Sequence, residues 1–75
     1  MIKFITVVSR MEKGKYPTPL YIEWEDGRIF EIDKVLDTRK KASTKGGGAG
    51  LRYTVRIKGK ERYLFLVNYE WFIET

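Results

Sequence analysis

The sequence predicts an all-β fold, a small SH3-like barrel of five to six short antiparallel strands. Three observations carry that prediction. Apolar and polar residues alternate with period two along much of the chain, whereas helical periodicity is weak throughout. Turn signals, Asp26-Gly27 foremost, separate the alternating runs at short intervals. The chain of 75 residues is sized for one domain, residues 1–75, and several runs are apolar on both faces, as strands are when a sheet closes on itself. An OB-type barrel usually needs more length and a helix. A chain this short buries only about 60% of its unfolded surface. Two Trp, five Tyr and four Phe compensate with large apolar areas.

Taken in order, Ile2–Ser9 reads as a first strand, with Ile2, Phe4, Thr6 and Val8 on one face and Lys3, Ile5, Val7 and Ser9 on the other. Arg10–Pro19, with Gly14, Pro17 and Pro19 among charges, reads as a loop; the prolines confine any pairing there to an edge. Leu20–Trp24 and Arg28–Ile32 flank Glu25-Asp26-Gly27 as a hairpin. A two-residue Asp26-Gly27 turn would set Ile22 opposite Glu31 and Leu20 opposite Asp33. A three-residue Glu25–Gly27 loop sets Ile22 opposite Phe30 and Leu20 opposite Ile32, a uniformly apolar face. Slipping by one residue exchanges the faces, so the second register is predicted, with Gly27 in the left-handed region.

Asp33–Ala42 continues the second hairpin strand past a bend at Asp33-Lys34 and leaves to pair elsewhere. The loop Ser43–Gly50 follows. Leu51, Tyr53, Val55 and Ile57 then alternate with Arg52, Thr54, Arg56 and Lys58. A turn at Lys58–Glu61 leads into Arg62–Val67, and a turn at Asn68–Glu70 into a closing strand, Trp71–Glu74. The second hairpin has two readings. A Gly59-Lys60 turn places Tyr63 and Phe65 outside beside Arg56 and Thr54; a three-residue turn sends both aromatics into the core with Val55 and Ile57.

Composition narrows the chemistry. The sequence has neither Cys nor His, so it offers no disulfide, no thiolate nucleophile, no Cys- or His-ligated metal and no imidazole base. Phe4–Ser9, the longest uncharged run near the N-terminus, is too short for a signal-peptide core or a membrane span. The expectation is a soluble, cytoplasmic chain with no membrane, cofactor or metal.

The net charge of +5 conceals an asymmetry. Between Arg39 and Arg62 stand nine basic residues, Arg39, Lys40, Lys41, Lys45, Arg52, Arg56, Lys58, Lys60 and Arg62, against one acid, Glu61. That window is net +8, and the remainder, with six basic and nine acidic residues, is net −3. Strand alternation puts Arg52, Arg56 and Lys58 on one face, where the neighbouring loop and turn extend them into a basic stripe. Such a stripe binds phosphates by displacing counterions. Its bland counterpart is a solvated outer face whose lysines blunt a sheet edge. Arg beside exposed Tyr and Phe would add a stacking platform for bases.

Other constellations carry less. Lys45-Gly46-Gly47-Gly48-Ala49-Gly50 lacks the Gly-Lys-Ser/Thr ending of a phosphate loop and precedes a strand, so it reads as a mobile connection or a basic arm. Glu23, Glu25, Asp26, Glu31, Asp33 and Asp37 read as solvated charges rather than catalytic pairs. Trp24, Trp71 and Phe72 read as core staples, while Tyr16 and Tyr21 beside Pro17 and Pro19 sketch an outer groove for Pro-rich peptides.

The string Pro19-x-x-Ile22-x-Trp24-x-Asp26-Gly27-Arg28-x-Phe30-x-Ile32-Asp33-x-Val35-Leu36, with Leu51–Ile57, Gly59-Lys60, Leu64-Phe65-Leu66 and Trp71–Glu74, resembles a family of small uncharacterised bacterial β-barrel proteins. It is more distantly similar to short β domains associated with Y-family DNA polymerase-like proteins. The resemblance runs from Pro19 onward and rests on turn glycines and core aromatics. It implies a stand-alone barrel in a DNA-maintenance setting and transfers no catalytic residue. The reading reached is a non-enzymatic nucleic-acid-binding module; the alternative is a protein-interaction adaptor or a homodimerising barrel.

Overall fold

The computed structural model describes residues 2–43 and 48–74, and these contain strands and turns but no helix. The strands are β1 (Ile2–Arg10), β2 (Thr18–Glu23), β3 (Ile29–Glu31), β4 (Lys34–Ser43), β5 (Gly48–Ile57), β6 (Lys60–Val67) and β7 (Glu70–Glu74). They form one seven-stranded sheet in the order β3-β2-β1-β7-β6-β5-β4, antiparallel at every pairing.

The two strands at the ends of that order, β3 and β4, are consecutive in the chain and separated only by Ile32 and Asp33. A flat sheet cannot bring its opposite edges that close, so the sheet curls into a half-barrel. The hand-over occurs across one peptide step. The Ile32 N–H donates to Leu20 O on the β2 side at 3.0 Å, and the Asp33 N–H donates to Arg56 O on the β5 side at 2.8 Å. The predicted bent strand is therefore present, but its change of partner divides it in two. That raises the strand count to seven from the expected five to six.

The first hairpin adopts the predicted register, with Ile22 opposite Phe30. Gly27 has φ 88°, its N–H donates to Trp24 O at 2.9 Å, and the Trp24 N–H donates to Arg28 O at 2.8 Å. This is a tight turn followed by a glycine bulge. Asp26 reinforces it by accepting from the Arg28 backbone N–H at 3.1 Å and from Nε at 2.6 Å. The first of these bonds is the main cause holding the Asp26 carboxyl below its ordinary pKa.

The second hairpin takes neither predicted register. Ile57 lies opposite Lys60, so the turn is Lys58-Gly59, with φ of 50° and 77°. Two positive-φ residues match a type I′ turn, whose twist suits the flanking strands. This register sets buried Leu64 opposite buried Tyr53 and leaves Tyr63 opposite Thr54 on the other face. Asn68 and Tyr69, with φ of 51° and 65°, make a similar tight turn between β6 and β7.

The concave face holds the core: Ile22, Tyr53, Val55, Leu64 and Ile73 are buried, with Val7, Trp24, Phe30, Ile57 and Trp71 packed around them. Full burial of an aliphatic side chain is worth about 1.5–3 kcal/mol. The Tyr53 hydroxyl donates to Pro17 O, tying the segment between β1 and β2 to β5. Burial, and secondarily the nearby Tyr16, push the Tyr53 pKa up to about 12. Gly50 lies where a Cβ would stand 2.6 Å from Leu66 O and from a Val67 methyl carbon. The part of the glycine-rich segment that falls in β5 is therefore strand, not loop. The predicted Lys45–Gly47 portion lies outside the described residues.

Candidate nucleic-acid interface

The convex face carries what the core does not use. Cross-strand register aligns Arg39, Arg52, Phe65, Phe72 and Phe4 in one row over β4, β5, β6, β7 and β1. Phe65 stacks on Phe72 with centroids 5.1 Å apart and planes at 12°, and Phe4 meets Phe72 edge-on at 5.6 Å. Phe72 is only 3% exposed yet lies outside the core cluster; its two aromatic neighbours cover it from the convex side. Phe4 is 62% exposed. One step along the strands, Tyr63 is 46% exposed, and the Arg52 guanidinium carbon lies 5.1 Å from its ring centroid. The Arg52 Nε is covered and has no acceptor among the described residues.

The predicted basic residues divide between two places. Arg39, Arg52 and Arg56 are on the convex face, with Lys41 two residues beyond Arg39 on β4. Acids interleave with them: Asp37 pairs with Arg39 at 2.8 Å, and Glu61 lies opposite Arg56. Lys40 alternates to the other side of β4, opposite Leu51. Lys58, Lys60 and Arg62 instead line a cleft at the open end of the curled sheet, joined there by Arg28. The stripe predicted through Arg52, Arg56 and Lys58 thus breaks at Lys58. The type I′ turn begins at that residue, and its ammonium lies 5.2 Å from the Phe30 ring centroid. Lys45 lies outside the described residues.

Sequence reasoning did not assign Phe4 or Arg28 to a site. Phe4 was legible only as one member of a strand apolar on both faces. Its neighbours on the convex side depend on the β1–β7 pairing, which joins chain segments some seventy residues apart. Tyr63 and Phe65 were legible as a platform conditional on a Gly59-Lys60 turn; the Lys58-Gly59 turn leaves them on the outer face by a different register, opposite Thr54 and Arg52 instead of Arg56 and Thr54. Trp24 and Trp71 pack against the core as expected. Of the acids singled out, Glu25 is bonded to Lys3 at 2.7 Å and Asp26 to Arg28 at 2.6 Å. No group of three or more metal-ligating side chains clusters among the described residues. No helix among them is long and apolar enough to cross a membrane.

Comparison with known proteins adds no relative: no family model, no curated protein and no solved structure matches the chain. Fold and face together define a small all-β protein with an aromatic row on the convex side of a curled sheet.

Proposed function

We propose that this curled sheet is a small SH3-like barrel that binds single-stranded nucleic acid, without catalysis, on its convex face. The observation that carries the reading is the row Arg39–Arg52–Phe65–Phe72–Phe4 with Tyr63 beside it. Exposed rings offer stacking surfaces that any base can use, and flanking arginines and lysines meet the backbone phosphates. Bases in a duplex are already stacked on one another, so the aromatic row favours unpaired strands.

The test is binding of labelled single-stranded DNA and RNA, followed by fluorescence anisotropy over a range of salt. With Arg39, Lys41, Arg52 and Arg56 as the contacts, the log–log salt slope is expected at about −2 to −3. Phe4→Ala and Tyr63→Ala are each expected to weaken binding by about 1–3 kcal/mol, the worth of a base–aromatic stack. Absence of any shift at about 50 mM salt, across lengths and strandedness, would remove the reading.

The adaptor or homodimer reading has one observation in its favour, the β4 edge, which is hydrogen-bonded to β5 on one side only. Arg39-Lys40-Lys41 lies along that edge and opposes pairing with a second copy, since lysines on an edge strand deter association. Sedimentation velocity decides the homodimer: a concentration-dependent dimer supports self-pairing, and a monomer throughout removes it; a monomer that also purifies with no partner counts against the adaptor.

A further inference from the structure

The cleft at the open end of the sheet is chemically unlike the convex face. It lies between the tips of the β2–β3 and β5–β6 hairpins and has a volume of about 490 Å³. Ile22, Ile57 and Ile73 form its apolar lining. Trp24 and Phe30 form an aromatic wall, edge to face, with centroids 6.4 Å apart. Arg28, Lys58, Lys60 and Arg62 complete it, and no carboxylate lines it among the described residues.

The cations are held there by the fold. Phe30 receives the Arg28 guanidinium at 5.4 Å from its own hairpin and the Lys58 ammonium at 5.2 Å from the other. Arg28 is partly neutralised by Asp26 at 2.6 Å. Lys58, Lys60 and Arg62 make no salt bridge among the described residues. Glu61, between Lys60 and Arg62 in sequence, alternates to the opposite face of β6 and lies across from Arg56. A concavity with one sign of charge and apolar walls focuses the field and concentrates the opposite ion.

We propose that this cleft binds a phosphate ester carried on a flat ring, a nucleoside monophosphate unit, with the phosphate on Lys58, Lys60 and Arg62 and the ring against Trp24 and Phe30. The volume falls in the range of small-molecule sites, which combine an apolar lining with a few convergent polar groups. Phosphate alone would leave the aromatic wall unused, and an uncharged nucleoside would leave the cations unused. The same unit occurs as a free nucleotide and as the phosphorylated end of a strand. The proposal does not depend on the convex-face reading.

The test uses the full chain carrying Trp71→Phe, so that Trp24, which lines the cleft, is the only tryptophan. Because Trp24 also borders a second concavity with Phe4, each titration is repeated with Phe4→Ala, which should leave the cleft quenching unchanged. Probes are inorganic phosphate, adenosine, adenosine 5′-monophosphate, and one short oligonucleotide with and without a 5′-phosphate. The monophosphate is expected to give saturable, salt-sensitive quenching at least about tenfold tighter than phosphate or adenosine alone, a modest requirement for adding a charge-assisted contact to a stacked ring. Lys60→Ala with Arg62→Ala should weaken it by a similar factor, and the charge-reversed pair should abolish it. Both side chains are exposed, and a thermal melt of each variant confirms the fold. Arg52→Leu and Tyr63→Ala on the convex face should leave it unchanged.

Tighter binding of the 5′-phosphorylated oligonucleotide than of the free nucleotide assigns the strand end; the reverse order assigns the free nucleotide. No saturation by any phosphorylated probe, or an affinity unmoved in the folded cleft variants, overturns the proposal. Neither result touches binding that depends on Tyr63.

Discussion

At Arg52 on the convex face, the proposed binding role and stability pull in different directions. Its guanidinium lies over Tyr63, while its Nε is covered with no acceptor among the described residues. A surface cation–π contact is worth about 0.5–1 kcal/mol, and a buried donor left unpaired costs about 1–3 kcal/mol. Arg52→Leu is therefore expected to hold or raise the melting temperature while weakening nucleic-acid binding. A variant that melts lower and binds as before would make Arg52 a structural residue. Tyr53 offers a second residue-scale prediction. Its folded pKa is raised to about 12 from 10.0, mainly by burial. Between those values the unfolded chain loses the phenol proton and the folded chain keeps it, so stability drains away as pH rises. Chemical denaturation should show a Tyr53 contribution that is complete below pH 10 and lost by about pH 12. Tyr53→Phe should flatten that decline, at the cost of the bond to Pro17 O.

Elements show where a sequence determines register and where it does not. In the β2–β3 hairpin, one register mixes charges with apolar residues and the other does not, and the cleaner one is adopted. In the β5–β6 hairpin, Lys58-Gly59 and Gly59-Lys60 are both plausible turns. Tyr63 and Phe65 suit either face, so hydrophobic patterning cannot choose; the type I′ twist and the pairing of Leu64 with Tyr53 go together in the register adopted. The site inherited that uncertainty. The basic block was legible as a charge asymmetry, but its division between the convex face and the cleft depends on a single turn residue, Lys58. Glycine-rich sequence misled in a second way, because flexibility and close approach use the same residue. At Gly50 the requirement is space: an added Cβ meets Leu66 O at 2.6 Å, and a backbone atom does not swing aside. Gly50→Ala should destabilise by about 1–3 kcal/mol, as overpacking does. Denaturant melts would check it, and an unchanged midpoint would mean that β5 and β6 can separate there at little cost.

At the scale of the whole molecule, curvature is secured by the two-residue junction between β3 and β4. Because these strands occupy opposite ends of the sheet order, the Ile32 and Asp33 amides join edges that no other local connection brings together. If the curled sheet folds as one unit, both amides should exchange with solvent as slowly as those of β5 and β6, opening only with global unfolding. Exchange of this pair well ahead of the Tyr53 and Leu64 amides would show a sheet that opens at its junction while the rest stays folded. Asp33→Pro removes the donor to Arg56 O. The lost bond leaves Arg56 O without that partner and should cost about 1–3 kcal/mol. The same change should loosen the cleft, whose Arg28 and Phe30 come from one side of the junction and whose Lys58, Lys60 and Arg62 come from the other. The convex row draws on β1, β4, β5, β6 and β7 and includes no residue of β2 or β3. In a folded Asp33→Pro variant, nucleotide quenching of Trp24 should therefore weaken while binding that depends on Tyr63 persists. Equal loss of both would tie the two faces to one cooperative structure.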